Sequence, residues 1–455
     1  MVRRLSLAAV AAGLLALSAA AAGAQSLGDT LAAAYASSDL LESRRALLRA
    51  TDEDVAQSVA ALRPAIDLVS RLGDGTRTGE RLNNTASLTL DLLVYDFGNT
   101  RLGVEAAEQN VLAARATLTD LEQRVLLDAV AAHVDMIFLA RSVALAANSL
   151  RLNQEEERAA RDRFELGEST ITDVSQAEAQ VALARSTLAL AQGDLEIARS
   201  RYKLAVGVFP GNLQPPPRLP ALPDALDAAL AIAVRGHPQI REAQFLAAAA
   251  DINIRRAEAA MRPQLRLGGD VSHVARDSRI DSNESASVNL SLTVPLYRGG
   301  QLRSLYRQAV AGAQSARSDV LQSVRRISDG LAQAWARREV ARATIVARRE
   351  QVRAAEVAFE SIREEARLGS RTTLDVLDTE QDLLDARTRL LEAQRDEQVA
   401  VYGVLAAMGL LTVDHLGLAV EQPDPAIYGD SVRRAPVRSQ EGEKLDRILR
   451  RMGRD

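Results

Sequence analysis

Apolar and polar residues alternate with a period of two in two segments of this chain. Leu88, Leu90 and Leu92 alternate with Ser87, Thr89 and Asp91, and Val288, Leu290, Leu292 and Val294 alternate with Ser287, Asn289, Ser291 and Thr293. One greasy and one polar face predict half-buried strands. A fainter strand precedes each: Ile66 and Leu68 against Asp67 and Val69, then Leu265 and Leu267 against Arg266 and Gly268. Both fainter strands follow an Arg-Pro, Arg63-Pro64 and Arg262-Pro263, where the residue before proline is biased out of the helical region. Polar tips, Gly73 to Arg77 and Arg276 to Asn283, are expected to join each pair into a hairpin.

Elsewhere the pattern is helical. From Arg101 to Phe164 the residues are Ala, Leu, Glu, Gln and Arg with little turn chemistry, which predicts a rod of roughly 95 Å. Leu112, Ala116, Thr119, Gln123, Leu126 and Leu127 recur at helical spacing, yet no face is rich in Leu or Ile. Such a seam is too small and polar for a Leu-based dimeric coiled coil and suits several helices side by side around a lumen. Proline agrees, being absent between Pro64 and Pro210 and between Pro295 and Pro423. The cluster from Pro210 to Pro223 predicts an extended linker.

The two halves are copies. Tyr95 to Arg101 recurs as Tyr297 to Arg303, an offset of 202 residues (297 − 95), and Leu166-Gly167 with Asp173-Val174 recurs as Leu368-Gly369 with Asp375-Val376 at the same offset. Glu178 and Glu380 keep that register, as do Gly207 and Gly409. The expected organisation is a signal peptide over 1–24, repeat one over 25–209 with strands at about 64–96, a linker over 210–224, repeat two over 225–411 with strands at about 263–297, and a C-terminal tail over 412–455.

Composition narrows the class. Arg3 and Arg4, the apolar stretch Leu5 to Ala21, and Ala22-Gly23-Ala24 before Gln25 read as a secretory signal. No other uninterrupted apolar stretch of spanning length is evident, so a membrane passage must use strands. The chain has no cysteine, which removes disulfides, thiol chemistry and a lipid-carrying N-terminus. A net charge of −4 gives no basic footprint, so no nucleic-acid partner is expected. His133, His237, His273 and His415 are far apart with no metal-ligand spacing, and Gly268-Gly269 and Gly299-Gly300 lack a phosphate-loop context. Neither an enzyme nor a cofactor is expected. Strands of about ten residues suit a tilted membrane β-segment, with outer-membrane lipid on the greasy side. Four strands cannot close a barrel, so two, three or four chains must assemble.

A signal peptide, tandem repeats, Val94-Tyr95-Asp96-Phe97-Gly98 and Pro295-Leu296-Tyr297-Arg298-Gly299-Gly300 at strand ends, and long helix pairs turning at Leu-Gly together resemble the TolC-like outer-membrane efflux and secretion channels from about Leu27 to Leu411. The resemblance implies a mainly α fold with transmembrane β, in which tandem-repeat protomers form a trimeric 12-stranded barrel continued by a periplasmic α-helical barrel. It implies an exit duct in a Gram-negative outer membrane for proteins or small toxic compounds. The implied partners are a periplasmic membrane-fusion adaptor and an inner-membrane ABC or RND transporter, with a lean toward type I secretion.

The segment Gly369 to Asp378 resembles the family's inner turn, which implies rings of Asp375 and Asp378 at the periplasmic mouth and Arg371 as a tether to Thr172 and Asp173 of a neighbouring outer turn. Ala366 replaces a tyrosine of the family pattern, so one closing link is expected to be missing. The turns Leu166-Gly167 and Leu368-Gly369 are implied adaptor contacts, although glycine in a tight turn needs no further reason. Capping alone would also explain Asp173 and Asp375. The alternative class is a soluble periplasmic coiled-coil adaptor or scaffold, against which two hairpin-interrupted repeats argue. The tail from Pro423, with Arg433, Arg434, Arg450, Arg451 and Arg454, is expected to be partly disordered.

Overall fold

The computed structural model describes residues 25–75, 80–276, 282–433 and 447; the expected signal peptide and the basic end of the tail lie outside them. Helices α1 (Leu27–Ser37) and α2 (Asp39–Ala60) lead into strands β1 (Ala65–Gly75) and β2 (Glu80–Tyr95), followed by α3 (Asn99–Glu165) and α4 (Ile171–Val206). The order then repeats as α5 (Leu226–Gly236), α6 (Pro238–Ala259), β3 (Gln264–Arg276), β4 (Ser282–Thr293), α7 (Gln301–Arg367) and α8 (Thr373–Ala407). Two short helices close the described chain, α9 (Val413–Leu416) and α10 (Pro425–Val432). Both α3 and α7 are 67 residues long, about 100 Å each.

The chain divides into two compact units, and each draws on both repeats. One comprises residues up to Leu41, Leu121–His237 and Ile327–Glu421; the other comprises Glu42–Asp120, Pro238–Arg326 and the chain from Gln422.

The second unit carries the sheet, an antiparallel array in the order β1-β2-β3-β4. Its register places Ile66, Leu90, Gly269 and Val288 in one row and Leu68, Leu88, Val271 and Ala286 in the next. Both rows lie on one face, because residues two apart share a face. The other face holds Asp67, Thr89, Asp270 and Ser287 in a single row. Within the protomer the greasy face has no cover: Leu68 is 75% and Val288 80% exposed. The hairpin tips are shorter than the sequence suggests, because Gly73 and Gly75 pair with Asn83 and Glu80 across an irregularity, and Arg276, Ser282 and Asn283 pair within the sheet. The tip residues 76–79 and 277–281 lie outside the described residues.

Each hairpin leaves the sheet through two successive left-handed residues. These are Phe97 (φ 54°) and Gly98 (φ 84°) in repeat one, and Gly299 (φ 57°) and Gly300 (φ 85°) in repeat two. Phenylalanine is costly in that conformation. The Tyr95 ring, edge-on at 4.8 Å, and the Arg262 guanidinium, 5.6 Å from the ring centre, hold it there. Asp96 completes the turn by accepting from the Thr100 amide at 2.7 Å and the Gly98 amide at 3.1 Å.

In this same unit α2 packs on α3 through Leu48, Val55 and Val111. The start of the tail is helical and packed. Helix α10 begins with Pro425 behind the Asp424 cap, and Tyr428 Oη donates to Glu53 at 2.7 Å. Gly429 is required by close approach, since an added Cβ would stand 2.7 Å from Asp52 Oδ1 and 3.1 Å from Arg115 Nη2. Burial pushes the Asp52 carboxyl up to about 6, against the pull of Arg115 and with the repulsion of Glu53. A raised acid stabilises the folded arrangement below its ordinary value of 3.8, and that stability is lost as pH rises through 6. Asp52→Asn is therefore expected to slow hydrogen exchange of the α10 amides at pH 7 relative to wild type, with the difference vanishing near pH 4. A constant difference across that range would exclude the Asp52 linkage.

One feature of α3 escaped the sequence reading. It contains a stretch apolar and long enough to cross a membrane by length and composition. About a third of that stretch is buried within the protein, including Val130, Val134 and Met136, and Asp135 accepts from Arg395 Nε at 2.6 Å.

Candidate functional site: the paired helix turns

The first unit contains both Leu-Gly turns. Each helix ends in a Schellman arrangement, in which the amide after the glycine reaches five residues back and the glycine amide three back. Glu168 N bonds Arg163 O at 2.8 Å and Gly167 N bonds Phe164 O at 2.9 Å; Ser370 N and Gly369 N repeat both bonds, to Glu365 O and Ala366 O, at 3.0 Å. Gly167 (φ 78°) and Gly369 (φ 79°) have open space where a Cβ would be, so conformation alone requires glycine. The leucines before them stand clear of the protomer, Leu166 75% and Leu368 84% exposed.

Both following helices start with a capping box. Asp173 Oδ2 accepts from the Thr170 amide and hydroxyl, each at 2.9 Å, and Asp375 Oδ2 accepts from the Thr372 amide and hydroxyl at the same distance. These bonds hold both carboxyls below their ordinary value, so both stay ionised. Only one oxygen of each carboxylate is engaged by the cap, which leaves Oδ1 of both for another cation or donor. Asp378 and Thr172 are exposed beside them. Arg371 Nε donates to Glu365 Oε2 of its own turn at 2.9 Å. Within one protomer Arg371 is therefore not joined to Thr172 or Asp173.

Two cross-links between the repeats were not visible in the sequence. Arg163 Nη2 donates to Thr373 Oγ1 at 3.1 Å, and Asn153 Nδ2 donates to Glu380 Oε2 at 2.6 Å. Thr373, Leu377 and Glu380 share one buried face of α8, and Leu377 packs with Ala160 of α3 and Ala177 of α4. Ala366 is buried with Phe359, Val376 and Leu383. It fills an apolar seam and brings no hydroxyl to the turns.

Residues 30–208 and 230–410 match the outer membrane efflux protein family. The chain belongs to this family. Among its relatives, the outer membrane efflux protein BepC of Brucella suis is 34% identical over 398 residues, covering 86% of this chain and 87% of that protein. The outer membrane protein TolC of Vibrio cholerae is 24% identical, with 80% and 86% covered. The fold matches the open state of the Neisseria gonorrhoeae MtrE outer membrane channel with a TM-score of 0.72 at 21% identity, over 86% of this chain and 91% of that one. This outer membrane efflux protein is thus a channel subunit of the Gram-negative outer membrane, and the soluble adaptor alternative falls.

Proposed function

We propose that three copies of this efflux protein close the sheet into a 12-stranded barrel and that their paired turns form a gate at the periplasmic end. The observation that carries the reading is the sheet itself. It has an uncovered apolar face and two unpaired edges, β1 and β4, which lipid does not tolerate. The strand order alternates in direction, so β4 of one copy continues antiparallel onto β1 of the next. Twelve strands from three copies is the arrangement that the TolC-like resemblance implies.

At the turns, Asp375 and Asp378 lie three residues apart on one helix face, and threefold symmetry repeats them around the axis. A ring of ionised carboxylates favours cations and binds a multivalent blocker. Arg371 exchanges Glu365 of its own turn for Thr172 and the free Oδ1 of Asp173 on a neighbouring turn, tethering the closed mouth. The exposed Leu166 and Leu368, each before a rigid glycine turn, are apolar knobs for the helical hairpins of a periplasmic membrane-fusion adaptor. That adaptor links the duct to an inner-membrane transporter of the ABC or RND type, for export of proteins or small toxic compounds.

Single-channel recording in planar bilayers tests the gate. The Arg371→Ser, Asp173→Ala double variant is expected to conduct severalfold more than wild type. Equal conductance would remove the tether.

A further inference from the structure

We infer that Gln25 becomes the mature N-terminus and cyclises to pyroglutamate, and that the resulting lactam is the group seated in the notch formed by the linker and the end of α4. Cleavage after Ala22-Gly23-Ala24 leaves Gln25 first. Its backbone nitrogen donates to Asn212 O at 2.7 Å, and its carbonyl oxygen accepts from Gln214 N at 2.9 Å, a short parallel bridge to the linker. Its side-chain Oε1 accepts from the Gly211 amide and from Tyr202 Oη, each at 3.4 Å.

Behind this notch lies a buried polar chain. Thr30 Oγ1 is 3.0 Å from Tyr202 Oη and 2.9 Å from His133 Nδ1, and His133 Nε2 is 3.2 Å from Gln214 O. A carbonyl can only accept, so the neutral ring carries its proton on Nε2 and leaves Nδ1 as an acceptor, and the one Thr30 hydroxyl proton is shared between Nδ1 and Ser26 O, 3.1 Å away. Burial of the ring keeps it neutral.

The seat offers one acceptor to the Gln25 nitrogen and donors to Oε1. A free α-ammonium carries three protons and a positive charge, and it would stand one residue before Ser26, the N-cap of α1. That is the positive end of the helix dipole. In cyclisation the α-nitrogen attacks Cδ, the N–Cδ bond forms, the Cδ–Nε2 bond breaks, and Nε2 leaves as ammonia. The lactam retains one N–H for Asn212 and one C=O for Gly211 and Tyr202, and it carries no charge. The atom lost, Nε2, has no protein partner among the described residues.

The test is intact mass and N-terminal peptide mass of full-length protein expressed with its own signal, extracted from outer membranes and quenched in acid. The expected chain begins at Gln25, is lighter by one ammonia, resists Edman degradation and becomes sequenceable after pyroglutamyl aminopeptidase. Gln25→Asn, which cannot form the five-membered ring, is expected to begin at the same position with a free amine. A free amine on wild-type Gln25 would overturn the cyclisation, and a mature start elsewhere would overturn the whole inference.

Discussion

Leu290→Arg is expected to cost about 2–4 kcal/mol of barrel stability per chain, the penalty for a guanidinium at the lipid midplane of an outer-membrane barrel. Leu290 is 64% exposed and lies opposite Leu267 in the register, in the middle of the apolar face of β4. Nothing in the protomer covers that position, and in the proposed barrel it faces lipid. A position three residues earlier on the same strand supplies the control. Ser287 lies on the polar face, opposite Asp270, where an introduced arginine gains a carboxylate and stays wet. Folding into vesicles followed by urea titration should shift the unfolding midpoint strongly for Leu290→Arg and little for Ser287→Arg. Equal shifts for both would mean that the two faces are not lipid and lumen.

The sheet was legible because alternation with a period of two is a local signal that reports directly which side chains share a face. The long helices were legible for a similar reason, since proline and turn residues are absent from 67-residue stretches. Boundaries were harder. Gly73 and Gly75 carry turn chemistry but pair in the sheet, because a neighbouring strand supplies hydrogen bonds that outweigh local preference. The packed start of the tail left no local signal in the sequence. Its charge suggested solvation, while the docking of α10 depends on Asp52 and Glu53, almost four hundred residues away.

At the turns, the bonds that the structure shows were not legible in the sequence. Asp173 and Asp375 cap their helices, the alternative that the sequence left open for both, and their cap partners Thr170 and Thr372 were not singled out there. Arg163 and Asn153 were passed over, and Thr373 was read only as a possible cap, because a contact between residues more than two hundred positions apart leaves no local trace. The duplication even concealed the most informative of these. Glu178 and Glu380 are equivalent in the repeat, yet Glu178 is exposed and paired with Arg161 whereas Glu380 is 6% exposed and faces Asn153.

That burial gives Glu380 the second large expected effect. Asn153 Nδ2 donates to Glu380 Oε2 and also to Ser149 O at 2.9 Å, while Asn153 Oδ1 is buried with no partner. Desolvation raises the carboxyl, the Ser149 and Asn153 bonds and the charge of Arg387 oppose the rise, and Glu156 adds to it. Arg387 itself is held by Glu356 at 2.8 Å. A raised acid contributes its stability fully below its ordinary value of 4.5 and loses it as pH climbs through the higher folded value. A protonated carboxyl also brings the donor that Asn153 Oδ1 lacks.

Glu380→Gln fixes that neutral form: its amide accepts from Nδ2 and donates to Oδ1 at every pH. It should unfold at a higher temperature than wild type at pH 8 and match wild type near pH 4.5. Glu380→Leu removes both functions and strands the Asn153 amide in an apolar seam, which costs about 1–3 kcal/mol at all pH values. Thermal unfolding followed by circular dichroism across that range separates the three proteins. If Glu380→Gln and wild type ran parallel from pH 4.5 to 8, Glu380 would be an ordinary solvated acid, and the α3–α8 cross-link at Asn153 would contribute no more than a surface hydrogen bond.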